Sequence, residues 1–503
     1  MEYILSLVVY LVIMIGVTLY SKKKIKSVDD YALGGRQIPS WMSAFSYGTA
    51  YFSAVILVGH AGKNGWTYGL AAFWVVVGNS FLGTYLAWKV LGKRTREMTR
   101  RLNASTMPQF LGTRYNDSKL RYITAFIIFI FLVPYAASVY KGLGALFEIT
   151  FHINENYIML FMTVVTAVYL LAGGFLAASI ADFIQGCIMI VGVGLLIIYI
   201  VKDPNVGGVV NGVQSLKAID PKLVMPFTRD TIVPLLSLVV MTSLGTWGLP
   251  QMVSRFYTIK NEKSIPVAKI VSTIFAIIIT TGAYTMGGFS RLLISSNGDK
   301  PAIMANGTLT TITFDQIVPN ILNNTLPKIL LALLLVVILA ASMSTLSSIV
   351  LASSTTFVMD LIKPLRKEKI SEKQTMILLR ACCLLFIIAA YLLAIGDSPI
   401  LNLNALSWGV VAGVLLAPYL IGLYWKKATR KGVYASIISA AAIMGFGVLN
   451  YGVNSAMITT VSACAIVFPN LVLVAVSLVT SKLEQTHLSY IFNSCETKIN
   501  EIK

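Results

Sequence analysis

Charge is scarce in this sequence. Only 12% of its 503 residues are Asp, Glu, Lys or Arg, about half the share of an average soluble domain. A soluble fold has no way to hide the 56% that are hydrophobic. Cysteine and histidine are scarcer. Cys187, Cys382, Cys383, Cys464 and Cys495 show no paired spacing, and at least four lie in apolar runs where they act as small hydrophobes. That excludes a disulfide framework or a cysteine metal site. His60, His152 and His487 are too scattered to form a ligand set, and neither HExxH nor a nucleophile elbow occurs. Enzymatic chemistry has little to stand on, and no catalytic residues are assigned. Acidic residues are also few, 21 against 40 basic, for a net charge of +19. The Lys and Arg residues fall in short clusters between apolar spans and form no separate basic domain. Membrane topology therefore explains the charge better than a nucleic-acid partner does.

What is abundant is apolar length. Windows of roughly 20 apolar residues, enough to cross about 30 Å of hydrocarbon, recur from end to end. Residues 2–20 lack the basic flank and small-residue cleavage site of a signal peptide, so they read as a retained span. Further spans are predicted at 40–61, 67–91, 122–149, 156–174, 178–201, 231–253, 266–289, 327–356, 375–395, 402–425, 433–451 and 457–480, about thirteen in all. Lys22, Lys23, Lys24 and Lys26 follow the first span, and the clusters Lys93–Arg101, Arg255–Lys263, Lys363–Lys369 and Lys426–Lys431 fall on the same side. The positive-inside rule makes that side cytoplasmic, with the N-terminus outside and the C-terminus inside. One transmembrane domain over 1–485 and a short cytoplasmic tail over 486–503 are expected, with no room for a fused soluble domain.

Two spans are interrupted by residues that disrupt helices. One contains Ala44-Phe-Ser-Tyr-Gly48-Thr-Ala-Tyr-Phe-Ser-Ala54, the other Ser243-Leu-Gly245-Thr-Trp-Gly248-Leu-Pro250-Gln251. In lipid, irregular backbone is tolerated where it lines a protein cavity, and paired interruptions at equivalent places in two repeats point to a transporter's central site. Close helix packing at the glycines is the plainer alternative. Ala341, Ser344, Thr345 and Ser348 share one helix face at i, i+3, i+4, i+7. Such hydroxyls either stitch helices together or, beside freed carbonyls, offer the oxygens a small hard cation needs. Asp182 lies near a span end and requires a partner. Lys141 either attracts an anionic solute or snorkels or pairs with Glu148, seven residues on.

Together these segments resemble the sodium/solute symporter family, whose core is similar to the leucine-transporter fold of two inverted five-helix repeats. The resemblance is carried by Asp30-Tyr-Ala-Leu-Gly-Gly-Arg36, Gly173-Gly-Phe with Asp182-x-x-Gln185, Leu249-Pro-Gln-Met-Val-Ser-Arg-Phe256, Met343-Ser-Thr-Leu-Ser347, and Gly422-Leu-Tyr-Trp425 before Lys431-Gly432. It implies an all-α membrane protein with core repeats over roughly 40–201 and 231–425. Within the family, Gly207-Gly-Val-Val-Asn-Gly-Val-Gln214, Ala218-Ile-Asp-Pro-Lys-Leu-Val224 and Gly248-Leu-Pro250 resemble the bacterial pantothenate type. The proline type is next, but Thr49-Ala-Tyr-Phe-Ser53 lacks the Asp that it carries there. Lys141 stands where the pantothenate type has Gln.

The resemblance implies a sodium site from backbone oxygens of Thr49, Phe52 and Ala341 with the hydroxyls of Ser344 and Thr345. It implies a second cation site at Asp182, Ser344, Ser347 and Ser348, and solute-facing positions at Tyr135, Thr246 and Trp247. The expected protein is a bacterial plasma-membrane symporter. It uses sodium (Na+) to import a small organic solute such as a carboxylate, with no obligate protein partner. Proton coupling through Asp182, or a sensor that binds solute without moving it, are the alternatives.

Overall fold

The computed structural model describes residues 2–25, 27–36, 38–305, 307–366 and 370–492. Lys26, Lys367, Lys369, Cys495 and the tail from 493 onward lie outside the described residues; residues 485–492 form the helix Gln485–Phe492. The chain folds as a helical membrane protein. Ten described helices are long and apolar enough to cross a bilayer, or eleven when the bent pair Ile232–Gly248 and Pro250–Thr258 counts as one. That is fewer than expected, and the difference lies in two runs. Val55–Arg101 and Glu155–Lys202, of 47 and 48 residues, would each extend about 70 Å if straight, more than twice a bilayer core. Each turns at a positive-φ glycine, Gly69 (φ 57) and Gly174 (φ 53). A Cβ on Gly174 would lie 2.7 Å from the Tyr31 ring and 2.9 Å from its carbonyl, so only glycine meets both the dihedral and the space.

The fold is not purely helical. Ser295–Asn297, Lys300–Ala305 and Thr308–Thr311 make a small antiparallel sheet in the loop before the Lys328–Thr356 helix. Ser295 stands opposite Ala302, which stands opposite Thr311. No hydrophobic alternation announces these strands. Ser295–Asn297 and Thr308–Thr311 are exposed on both faces, so period-2 patterning had nothing to act on.

The basic segments meet on one face. Arg94 Nε donates to the Leu423 carbonyl at 3.0 Å and Arg114 Nε to that of Gly422 at 2.9 Å. Arg430 Nε reaches the Tyr115 carbonyl at 2.7 Å, and Arg121 pairs with Asp360 at 2.8 Å. On the opposite face, Trp66 Nε1 donates to the Asp299 carbonyl at 2.9 Å, and the Asp315 carboxylate accepts the Ile400 N–H at 3.1 Å.

Between these faces the Lys328–Thr356 helix runs through the middle of the protein, with 89% of its most apolar stretch buried. The interrupted helices pack around it. Ser40–Tyr51 stops at Phe52 (φ −104, ψ 97), and the chain resumes its helix at Val55–His60. Ser53 holds the gap, its hydroxyl accepting the Val55 N–H at 3.2 Å and its carbonyl the Ile56 N–H at 3.1 Å. The second interruption is at Leu249 (φ −87, ψ 122), where the axis bends by 47° and Pro250, with no N–H to lose, opens the next helix.

Candidate functional site

The first interruption frees backbone oxygens, and the central helix brings hydroxyls to them. Thr345 Oγ1 donates to the Thr49 carbonyl at 3.2 Å and lies 3.4 Å from that of Ala50. Ser344, the preceding residue, donates to Asp182 Oδ1 at 2.6 Å. Ala341 stands one turn before Thr345 on the same face, fully buried. Phe52 closes the broken helix with an extended backbone that swings its carbonyl off the helical path. Thr49 spends its own hydroxyl on the Phe45 carbonyl at 2.9 Å, while the end of its helix at Phe52 leaves its backbone oxygen for Thr345. Oxygen donors from two elements thus converge around Thr49 and Thr345, a donor set suited to a small hard cation.

The residues expected around a second cation are arranged differently. Asp182 is fully buried, and its Oδ2 lies 3.2 Å from Nη2 of Arg255, itself 1% exposed. The same guanidinium donates to the Ser348 hydroxyl and lies 4.9 Å over the Phe175 ring. Ser347 turns away and donates to the Ser344 carbonyl at 2.8 Å. A guanidinium therefore stands where the sequence expectation put an ion, between Asp182 and Ser348. This pair is consequential: removing one partner of a buried ion pair costs about 3–5 kcal/mol, because the other charge is left stranded. Sequence reasoning quoted Arg255 within Leu249–Phe256 but counted it only as a loop charge. Its proximity to the Pro250 break was the available signal that it faces inward.

The four expected solute residues do not form one cluster. Tyr135 is 1% exposed and packs edge-on against Trp408, ring centroids 5.4 Å apart. Trp408 also neighbours Tyr51 at 6.4 Å, and Tyr51 stacks on Phe52 at 4.2 Å. Thr246 Oγ1 lies 2.7 Å from the Ser243 carbonyl in its own helix and 3.3 Å from that of Gly83, and Trp247 Nε1 donates to the Leu82 carbonyl at 3.0 Å. Those two side chains fasten the bent helix to the Val55–Arg101 run. Tyr135 and Thr246 still flank the first interruption, since Tyr51 Oη donates to the Thr242 carbonyl at 2.5 Å, one turn before Thr246. Lys141 is elsewhere. Six residues beyond Tyr135, about 9 Å along the helix, it donates to the Gly396 carbonyl on the face opposite the basic clusters. Glu148 is not its hydrogen-bond partner. Its field and that of Lys63 act on Asp315, whose carboxyl is pushed up by burial and pulled back by the Ile400 N–H and these two lysines.

Two residues that sequence reasoning missed lie beside the helix breaks, Trp408 against Tyr51 and Gln251 directly after Pro250. Trp408 Nε1 and both amide atoms of Gln251 are buried without a protein hydrogen-bond partner. Buried polar groups are nearly always satisfied, so these are places where a solute or water completes the structure.

Comparison with known proteins agrees with this architecture. The sequence profile of the sodium:solute symporter family matches residues 31–440. The osmoregulated proline transporter OpuE of Bacillus subtilis is 30% identical over 447 residues, covering 88% of this chain and 87% of that protein. The sodium/pantothenate symporter of Escherichia coli is 30% identical over 447 residues, covering 87% and 89%. A solved structure of a Na+-coupled sialic acid symporter, in a substrate-bound outward-open state, superposes with a TM-score of 0.78 at 18% identity, covering 96% of this chain and 99% of that one.

Proposed function

Since this chain belongs to the sodium:solute symporter family and its activity is sodium-coupled solute transport, we propose that it imports a small organic carboxylate such as pantothenate by alternating access. Sodium binds where the Thr345 hydroxyl meets the Thr49 carbonyl at the first helix break, and this observation carries the reading. The ion adds a tie between the Ser40–Tyr51 helix and the central helix, with Phe52, Ala341 and Ser344 completing its shell. Ordering of that break positions Tyr51 and Phe52 and, through them, Trp408 and Tyr135. The aromatic walls exclude water, while Gln251 and the Trp408 indole N–H supply polar contacts for the solute. Each net positive charge moved inward draws about 2.3 kcal/mol per 100 mV from the membrane potential, so a carboxylate anion moving with one sodium carries no net charge and is driven by the sodium gradient alone, whereas a second sodium would add the potential.

Proline is the second solute to consider, because OpuE matches as well as the pantothenate symporter does. The absence of an Asp within Thr49–Ser53 favours pantothenate. The deciding experiment is uptake of labelled pantothenate and labelled proline into proteoliposomes, under an inward sodium gradient or an inward proton gradient. Pantothenate accumulation that requires sodium is expected. Accumulation of proline alone would overturn the solute, accumulation on a proton gradient alone would overturn the ion, and binding without accumulation would leave a sensor.

A further inference from the structure

Beside Arg255, on the face that carries the basic clusters, the packing leaves a gap. There a cleft is lined by Arg255, Ser254, Ser348, Thr355, Phe175 and Tyr257, among others, and encloses about 30 Å³ of free space. That is more than the roughly 10–15 Å³ a single water needs, and suits a carboxylate head whose remaining atoms extend toward the opening. Arg255 is buried, and only its Nη2 is committed, to Asp182 and Ser348. Nε and Nη1 are buried with no protein hydrogen-bond partner. A charged donor left in that condition is costly unless a ligand meets it. The hydroxyls on the wall and the Phe175 ring beneath the guanidinium fit an anion with a short apolar body.

Charge balance says when the anion binds. Asp182 and Arg255 form a neutral pair in buried surroundings, and an anion added alone would leave a net negative charge there, which is expensive to bury. A cation on Asp182, where the Ser344 hydroxyl is already 2.6 Å away, restores neutrality and frees Nη2. We infer that the Arg255 cleft is an anion site that takes a carboxylate when a sodium ion takes Asp182. The ion pair opens to admit a salt: the cation replaces the guanidinium, and the carboxylate replaces Asp182. The cleft is then a release station for the solute, and Asp182 with Arg255 couples the two departures. This inference rests on the proposed carboxylate solute.

The test uses propionate as the probe and purified full-length protein in detergent. Saturation-transfer NMR reports its binding in sodium chloride and in choline chloride of equal concentration. Wild type should bind propionate at least about fivefold more tightly in sodium, the lower end of typical coupling between two sites. Arg255→Gln should lose binding in both salts, while Asp182→Asn should bind propionate equally in both, because its arginine no longer needs release. A purely structural Asp182 would not shift the sodium requirement. The inference fails if monodisperse Arg255→Gln binds as wild type does, or if Asp182→Asn still requires sodium. Should Arg255→Gln not fold, Ser254→Ala on the cleft wall decides with Asp182→Asn. A two- to threefold weaker affinity in Ser254→Ala, the size of one lost hydrogen bond, supports the site, and unchanged affinity there with an unchanged sodium requirement in Asp182→Asn overturns it. Failure of carboxylate uptake in proteoliposomes refutes the proposed solute without altering these affinities, so the two readings fall separately.

Discussion

Thr345 and Ser344 are neighbours on one helix, yet their hydroxyls do different things. Thr345 reaches across to a backbone carbonyl that its own helix cannot use, and Ser344 reaches a carboxylate. Alanine at Thr345 takes away a ligand hydroxyl and one methyl group, and alanine at Ser344 the hydroxyl alone. Thr345→Ala and Ser344→Ala should each raise the sodium concentration for half-maximal uptake tenfold or more, about 1.4 kcal/mol, with normal amounts of protein in the membrane. Uptake titrated with sodium, alongside quantified membrane protein, reports this directly; unchanged half-saturation in both variants removes the site.

These hydroxyls were legible in the sequence because their i, i+3, i+4, i+7 spacing puts them on one face of an apolar span. Arg255 was not, because a cation next to a loop reads as topology until the fold turns it inward. Lys141 left two readings open, since an unexpected charge in a span suggests either solute or a snorkelling side chain, and its ammonium ends on the Gly396 carbonyl.

At the level of single elements, glycine decides where the long runs turn. Gly174 (φ 53, ψ −155) sits in a region essentially confined to glycine, where another residue costs roughly 1–3 kcal/mol, and the overlap with Tyr31 adds to that. Its neighbour Phe175 lies under the Arg255 guanidinium. Gly174→Ala should therefore lower the melting temperature in detergent and reduce folded yield. A melting curve identical to wild type would show that Tyr31 moves aside without consequence. The interruption at Leu249–Pro250 was legible because proline cannot donate within a helix. The break at Phe52–Ala54 was legible only as a glycine- and serine-bearing segment, and its position depends on Ser53 holding the gap, which spacing does not reveal. The outer sheet gave little signal, since its two edge strands are exposed on both faces and leave no pattern.

For the molecule as a whole, the two faces differ. Opposite the basic clusters, Lys141 meets Gly396 and Asp315 meets Ile400, so those ends are tied together. On the basic face, the cleft beside Arg255 reaches Thr355. In a variant with its native cysteines replaced, Thr355→Cys should react with a membrane-impermeant thiol reagent applied from the basic side and not from the other. Labelling from the opposite side alone would invert the orientation that the positive-inside rule assigns. The spread of crossings along the chain was legible because each needs a run of apolar residues. How they assemble was legible only through the family resemblance, because in lipid an apolar face does not say which neighbour it meets.

The burial of the Lys328–Thr356 helix bears on how the protein is made. It is apolar enough to enter a bilayer as a lone span, yet in the finished protein little of it faces lipid. During synthesis its first surroundings are acyl chains, and only later do other helices replace them. Its hydroxyls can survive that interval because several satisfy themselves locally, as Ser342 does on the Ile338 carbonyl and Ser347 on that of Ser344. Ser344 and Thr345, whose acceptors lie on other helices, must wait for those partners. The residues that would hold the ion are thus completed by the withdrawal of this span from lipid, so a chain whose helices have inserted but not yet gathered has no ion site to offer.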